Sequence, residues 1–142
     1  SEKKKLKLLS EKYNCQNISF IDSLSEDNLV KYISICNIAL VNLKKNDTFL
    51  NVIPSKIFSL AAMKKPILLG VDGEAREILE KYNAGIYFEP ENYESFTKNL
   101  LLLKNDKIIY ANCMEGCVNL AKDYDHKLLA SNMFNIIEKE LS

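Results

Sequence analysis

Residues 53–68 read Ile-Pro-Ser-Lys-Ile-Phe-Ser-Leu-Ala-Ala-Met-Lys-Lys-Pro-Ile-Leu, and this stretch constrains the fold more than any other in the chain. Pro54 and Ser55 open a run with helical spacing over residues 54–64. Lys64, Lys65 and Pro66 then end it, because proline cannot continue a helix and pushes the residue before it toward extended geometry. Residues 66–71 are an apolar run, short enough for one buried strand. Loop, helix, turn and strand in that order make half of an alternating α/β unit. The helix start brings together backbone N–H donors, the positive end of the helix dipole, the Ser55 hydroxyl and the Lys56 ammonium. That chemistry suits a phosphate or diphosphate. With residues four apart sharing a face, Ser55 and Ser59 align, while Ile57, Leu60 and Ala61 point to the core.

The same alternation runs through most of the chain. Four short apolar runs, at residues 18–21, 38–43, 66–71 and 85–88, are each followed by a loop and a helical pattern. The reading is a Rossmann-like α/β fold: four parallel strands, at residues 18–21, 38–43, 66–69 and 86–88, with helices on both faces. Helices are expected over residues 3–13, with Leu6 and Leu9 inward, over 26–35, capped by Ser25, and over 73–82, ended by Asn83 and Gly85. After Glu89 and Pro90 the pattern becomes all-helical: from Asn92 or Ser95 through 104, then 106–122, then 126–141. Ligands of parallel sheets bind at the carboxyl ends of the strands, so the loop over residues 44–53 falls on the functional edge.

A chain of 142 residues reads as one domain able to bury a core. Nineteen basic and nineteen acidic residues cancel, so bulk charge favours no nucleic-acid partner. No apolar run reaches the ~18 residues that a membrane span needs. Residues 3–10 lack the apolar core of a signal peptide, and a cytoplasmic location is expected. The chain opens on Ser1, and the reading expects a piece of a longer protein. Cys15, Cys36, Cys113 and Cys117 show no metal-ligand spacing; Cys113 and Cys117 share an apolar stripe with Ile109 and Leu120, as reduced core thiols do. No metal is expected. His126, the sole histidine, has no nucleophile beside it in sequence. Gly70, Gly73, Gly85 and Gly116 form no dinucleotide fingerprint.

The Pro-Ser-Lys-Ile-Phe segment, followed by Gly73-Glu74 and by Asn83-Ala84-Gly85-Ile86, resembles the donor-binding C-terminal half of retaining GT-B glycosyltransferases. The similar members make bacterial surface polysaccharides. Their usual pattern is Pro-Ser-Lys-Ile-Phe-Glu-Tyr-(Leu/Met)-Ala-x-Gly-Lys-Pro-Ile, and the resemblance runs from about Asn17 to the C-terminus. It implies a nucleotide-sugar donor such as a UDP- or GDP-sugar as substrate, no resident cofactor, and donor contacts at Asn51, Pro54, Ser55, Lys56, Ser59 and Glu74. It also implies a missing N-terminal half of the same chain that binds a saccharide or lipid-linked acceptor, through which any contact with the membrane's inner face would be made. Two family positions that carry glutamates, one near the donor sugar and one on the ribose hydroxyls, are Asn51 and Ser59 here. A serine offers one hydrogen bond where a carboxylate offers a charged, two-oxygen acceptor. Asp22 stands where the family's strand motif has glycine.

No catalytic residue is assigned by this reading. A non-catalytic relative serving as a partner or scaffold subunit is the alternative, and the exchanges at Asn51 and Ser59 favour it. A sugar-nucleotide epimerase would need acid and base groups at the cleft, and a receiver domain would need a phospho-acceptor aspartate at a strand end. The strand over residues 38–43 ends in Asn42 and Leu43 instead.

Overall fold

The computed structural model describes residues 2–140. By contact density the chain divides into two compact units, Ser1–Lys31 and Tyr32–Ser142.

In the first unit, α1 spans Glu2–Lys12, with Glu2 in its first turn and Lys12 in its last, the polarity a helix dipole favours. Leu6 and Leu9, expected to face inward, are 52% and 48% exposed. An amphipathic helix buries its stripe only where a second apolar layer meets it, and no residue of α1 is buried. The expected strand at residues 18–21 does not form either. Ile18 and Ile21 are half exposed. The Ile21 carbonyl accepts from Lys3 Nζ rather than from a ladder partner. An extended run becomes a strand only when a neighbour takes its backbone groups. α2, Glu26–Ile35, runs across the division between the units. It begins where Ser25 was expected to cap it, with the Leu29 amide donating to the Ser25 carbonyl.

The second unit holds the sheet. β1 (Ala39–Asn42), β2 (Ile67–Gly70) and β3 (Gly85–Tyr87) lie in the order β1-β2-β3, all parallel. They are three of the four strands that the alternation predicts. The helices that follow are α3 (Lys56–Ala62), α4 (Glu74–Tyr82), α5 (Tyr93–Asn105), α6 (Lys107–Asp123) and α7 (His126–Glu140).

The period of two along β2 builds two cores. Ile67, Leu69 and Val71 face one side and pack with Ile57 and Ala61 of α3, Ala75 and Leu79 of α4, and Cys117 and Leu120 of α6. Leu68 faces the other side and packs with Phe88, Leu103 of α5 and Cys113 of α6. Helices therefore cover both faces, and α6 serves both cores through residues one turn apart. Every residue of β2 is buried, as a central parallel strand should be, whereas β1 alternates buried and exposed, with Leu40 54% exposed. The apolar stripe predicted on α7 is present in sequence, but Leu129, Met133, Ile136 and Ile137 are all exposed.

α3 is shorter than its pattern suggests. Pro54 and Ser55 stand before it, with the Ile57 and Phe58 amides donating to their carbonyls, and the Ser55 hydroxyl makes no capping bond. Lys64, at φ 56°, turns left-handed and stops the helix, and the Lys65 amide closes back onto the Leu60 carbonyl.

Candidate functional site

The three strands end at Asn42, Gly70 and Tyr87. The segments that leave them, residues 43–55, 71–73 and 88–92, meet at the carboxyl edge of the sheet. They enclose a cleft of about 340 Å³, with Lys44, Lys45, Phe49, Asp72, Tyr87 and Glu89 among its walls.

Each wall is built locally. In the first loop, Asn46 caps a 3-10 turn over Asp47–Phe49 by accepting from the Thr48 amide at 2.9 Å. The loop is then pinned: the Leu50 carbonyl accepts from the Glu74 amide at 2.9 Å, which spends the first amide of α4 on the loop. In the second wall, Asp72 accepts from the Gly73 amide at 3.0 Å and from the Tyr87 hydroxyl at 3.3 Å. Arg76 lies 4.0 Å over the Tyr87 ring and 3.5 Å from the Asp72 carboxylate, while its Nε donates to Glu80 at 2.8 Å. In the third wall, Glu89 pairs with Lys45 Nζ at 2.9 Å and accepts from Asn92 Nδ2 at 3.0 Å. Asn92 also caps α5, accepting from the Ser95 amide at 2.9 Å, and the Ser95 hydroxyl accepts from the Glu89 amide. The Lys45 amide donates to Glu91 at 3.2 Å.

The charges respond to this pairing. The hydrogen bond and charge of Lys45 hold the Glu89 carboxyl below its ordinary range, and Glu89 in turn raises Lys45. Burial, with the Asp72 charge next, pushes the Tyr87 phenol up. Tyr87 is therefore a neutral hydroxyl throughout the physiological range, and Glu89 a carboxylate.

None of the residues that the family resemblance implies for donor contact is among the walls of this cleft. Asn51, Ser55, Lys56, Ser59 and Glu74 are exposed, and Pro54 is half buried. Ser55, just before α3, and Ser59, within it, are both exposed, whereas Ile57 and Ala61 of α3 are buried. Asn51 directly follows Leu50, which lines the cleft, so one loop joins both regions. Lys45, Asp72, Tyr87 and Glu89 were not singled out from the sequence. Their signal is positional: each stands at, or within three residues after, the last residue of an apolar strand, where ligands of parallel sheets bind. Among the described residues no cluster of three or more His, Cys, Asp or Glu could hold a metal ion. No helix among them is long and apolar enough to cross a membrane.

A parallel sheet covered by helices on both faces, with its polar and ionised side chains gathered at the carboxyl edge, defines a doubly wound α/β domain. The solved structures place it further: a sucrose-phosphate synthase from Thermosynechococcus elongatus superposes with a TM-score of 0.80 at 13% identity, covering 99% of this chain and 34% of that one. The fold is that of a fragment of a GT-B glycosyltransferase, and the chain spans about a third of the length of that structure. Residues 1–119 match the family described as Glycosyl transferases group 1, and the chain belongs to that family. No curated protein sequence matches it.

Proposed function

We propose that this domain is the donor-binding half of a retaining glycosyltransferase and holds a nucleotide-diphosphate sugar at the carboxyl edge of its sheet. Membership of the group 1 glycosyl transferases over residues 1–119 carries the reading. The diphosphate and ribose lie against the start of α3, met by Pro54, Ser55 and Lys56, with Asn51, Ser59 and Glu74 around them. Ser55 and Ser59 supply hydroxyls for the ribose, and Lys56 supplies the full charge that a helix of only ~two turns cannot. Stabilising the departing diphosphate by fixed charge and dipole is electrostatic catalysis of the oxyanion-hole kind, and it needs no metal or cofactor. The acceptor, a saccharide or lipid-linked saccharide, is bound by a further half of the same protein. The setting is bacterial surface polysaccharide synthesis on the cytoplasmic side of the membrane.

A second reading is a non-catalytic relative that acts as a partner subunit. Asn51 and Ser59 favour it, because neither offers the charged acceptor that the resemblance associates with these positions. Losing one charge-assisted hydrogen bond of ~1.5–3 kcal/mol lowers affinity by roughly ten- to a hundredfold.

A chemical-shift titration of the intact protein with UDP- and GDP-sugars separates the two. Shifts at residues 51–59 that saturate support the donor site. Silence there at saturating nucleotide, with shifts confined to α6 and α7, refutes it.

A further inference from the structure

Between β1 and α3 the chain is anchored twice by backbone and core, and once by exposed charge. At the near end, the Leu43 amide donates to the Gly70 carbonyl at 3.2 Å, and Leu43 packs against the core shared by α3, α4 and α6. At the far end, the Leu50 carbonyl accepts from the Glu74 amide at 2.9 Å, and Ile53 packs against the same core. Residues 44–48, between these anchors, are all exposed.

That stretch is folded on itself. The Asn46 side chain accepts from the Thr48 amide at 2.9 Å. The Asn46 carbonyl accepts from the Phe49 amide at 2.9 Å, and the Asp47 carbonyl from the Leu50 amide at 3.1 Å. Bonds of this kind stiffen the turn and tie it to nothing else. Among the described residues, the hydrogen bonds that cross from residues 44–49 to the segment after β3 all come from Lys45. Its ammonium pairs with Glu89 at 2.9 Å, and its amide donates to the Glu91 carboxylate at 3.2 Å.

The Lys45 tie and the Leu50 tie respond differently to solvent. The side chains of Lys45 and Glu89 are 64% and 49% exposed. An exposed ion pair is weak, and salt screens it. The Leu50 contact is uncharged and close: the Leu50 carbonyl meets Gly73 backbone to backbone, with no space for a Cβ between them. Local opening begins where buried contacts are fewest. Here it begins at Lys45 and stops at Leu50.

We propose that residues 44–49 form a strap along the carboxyl-edge cleft, latched at Lys45 and hinged at Leu50, whose opening follows ionic strength. Release of Lys45 swings the folded turn as a unit and widens the cleft against Asp72, Tyr87 and Glu89. Asn51 and the start of α3 stay in place, because they lie beyond the hinge. The device belongs to the unliganded chain, so it stands or falls separately from the donor reading.

The test is amide exchange by NMR on the unliganded protein, wild type and Lys45→Met. It is run in about 0.02 M and about 0.5 M sodium chloride, between which the Debye length falls from roughly 20 Å to roughly 4 Å. The Lys45 amide reports the latch and the Glu74 amide the hinge. The Ile108 amide donates to the Asp106 carboxylate at 2.9 Å, and that carboxylate is in no ion pair among the described residues. It therefore gives the salt response of such a bond without a latch. In the wild type, salt should speed exchange at Lys45 about two- to fivefold relative to Ile108, the range that one exposed ion pair supports. Exchange at Glu74 should not change. Lys45→Met keeps the backbone amide and its Glu91 acceptor, and should exchange at the high-salt rate in both solutions. Exchange at Lys45 that ignores salt, or a variant that still responds to it, removes the latch. Exchange at Glu74 that rises in step with position 45 removes the hinge, since the loop then leaves α4 as a whole. Each of these results overturns the inference.

Discussion

A Cβ on Gly73 would lie 2.0 Å from the Leu50 carbonyl oxygen, so the loop and the start of α4 meet backbone to backbone. The same carbonyl accepts from the next amide, that of Glu74. Gly73 also sits at φ 74° and ψ −143°, a region that side chains rarely enter. Gly73→Ala therefore meets both a steric and a conformational penalty. We expect a loss of ~2–4 kcal/mol in chemical denaturation, together with shift changes along residues 44–50, because the loop must move off α4. A loss below about 0.5 kcal/mol would show that the loop is not pinned there.

Two leucines on neighbouring strands should differ sharply. Leu69 is fully buried among α3, α4 and α6 side chains, and Leu40 is 54% exposed on β1. Leu69→Ala should cost ~3 kcal/mol, transfer and cavity terms together, and Leu40→Ala about 0.5–1 kcal/mol. Urea midpoints of the two variants check this, and similar losses would mean that the exposed face of β1 is covered in solution.

The four cysteines divide by burial: Cys113 and Cys117 are buried, Cys15 is partly exposed and Cys36 exposed. Burial raises both core thiols, Cys117 to about 12, and the single S–H of Cys117 has two carbonyl acceptors in reach, Lys65 at 3.3 Å and Ala84 at 3.2 Å. A thiol reagent at pH 8 should label Cys15 and Cys36 promptly. It should reach Cys113 and Cys117 only on unfolding, since the thiolate is the reacting species. Prompt labelling of Cys117 would refute its placement.

The same shift sets an alkaline limit on stability. The unfolded Cys117 thiol ionises near ~8.5, the folded one at about 12. The folded state thus holds its proton where the unfolded state loses it. The contribution of this thiol to stability is flat below about pH 8 and is lost between pH 9 and 12. Tyr82, pushed up to about 12 chiefly by its hydrogen bond to Asp123, adds to the slope only above its ordinary value near 10. The fall of stability with pH should steepen above pH 10, and Tyr82→Phe should lessen the steepening, with Tyr87 keeping its share, while the earlier decline remains.

Ser59 is exposed on the outer side of α3, with room for a longer side chain. If its hydroxyl meets the ribose, Ser59→Glu adds a charged acceptor and should tighten UDP binding by roughly tenfold. Calorimetry reads this directly. Unchanged affinity would favour the non-catalytic reading.

Much of this architecture could be read along the chain because its signals are local. Buried apolar runs set β1, β2 and β3, each to within a few residues. Asn92 and Asp106 start their helices with the side-chain caps that their residue types suggest. Asn83 ends α4 left-handed. The same signals were insufficient at residues 18–21. Those residues are as apolar as a strand, but strand formation depends on a partner that local sequence does not contain.

The sequence by itself determined the alternation of strands and helices, the two-sided burial of β2 and the core role of Cys113 and Cys117, since each follows from side-chain period and polarity. Only the tertiary structure decided which polar residues share a site. Lys45, Asp72 and Glu89 are far apart in sequence, and none belongs to a motif. They converge because three parallel strands in register end at one edge and release their next residues there. Side-chain chemistry is carried by each residue alone, but proximity is carried by the register of the sheet, which no single segment encodes.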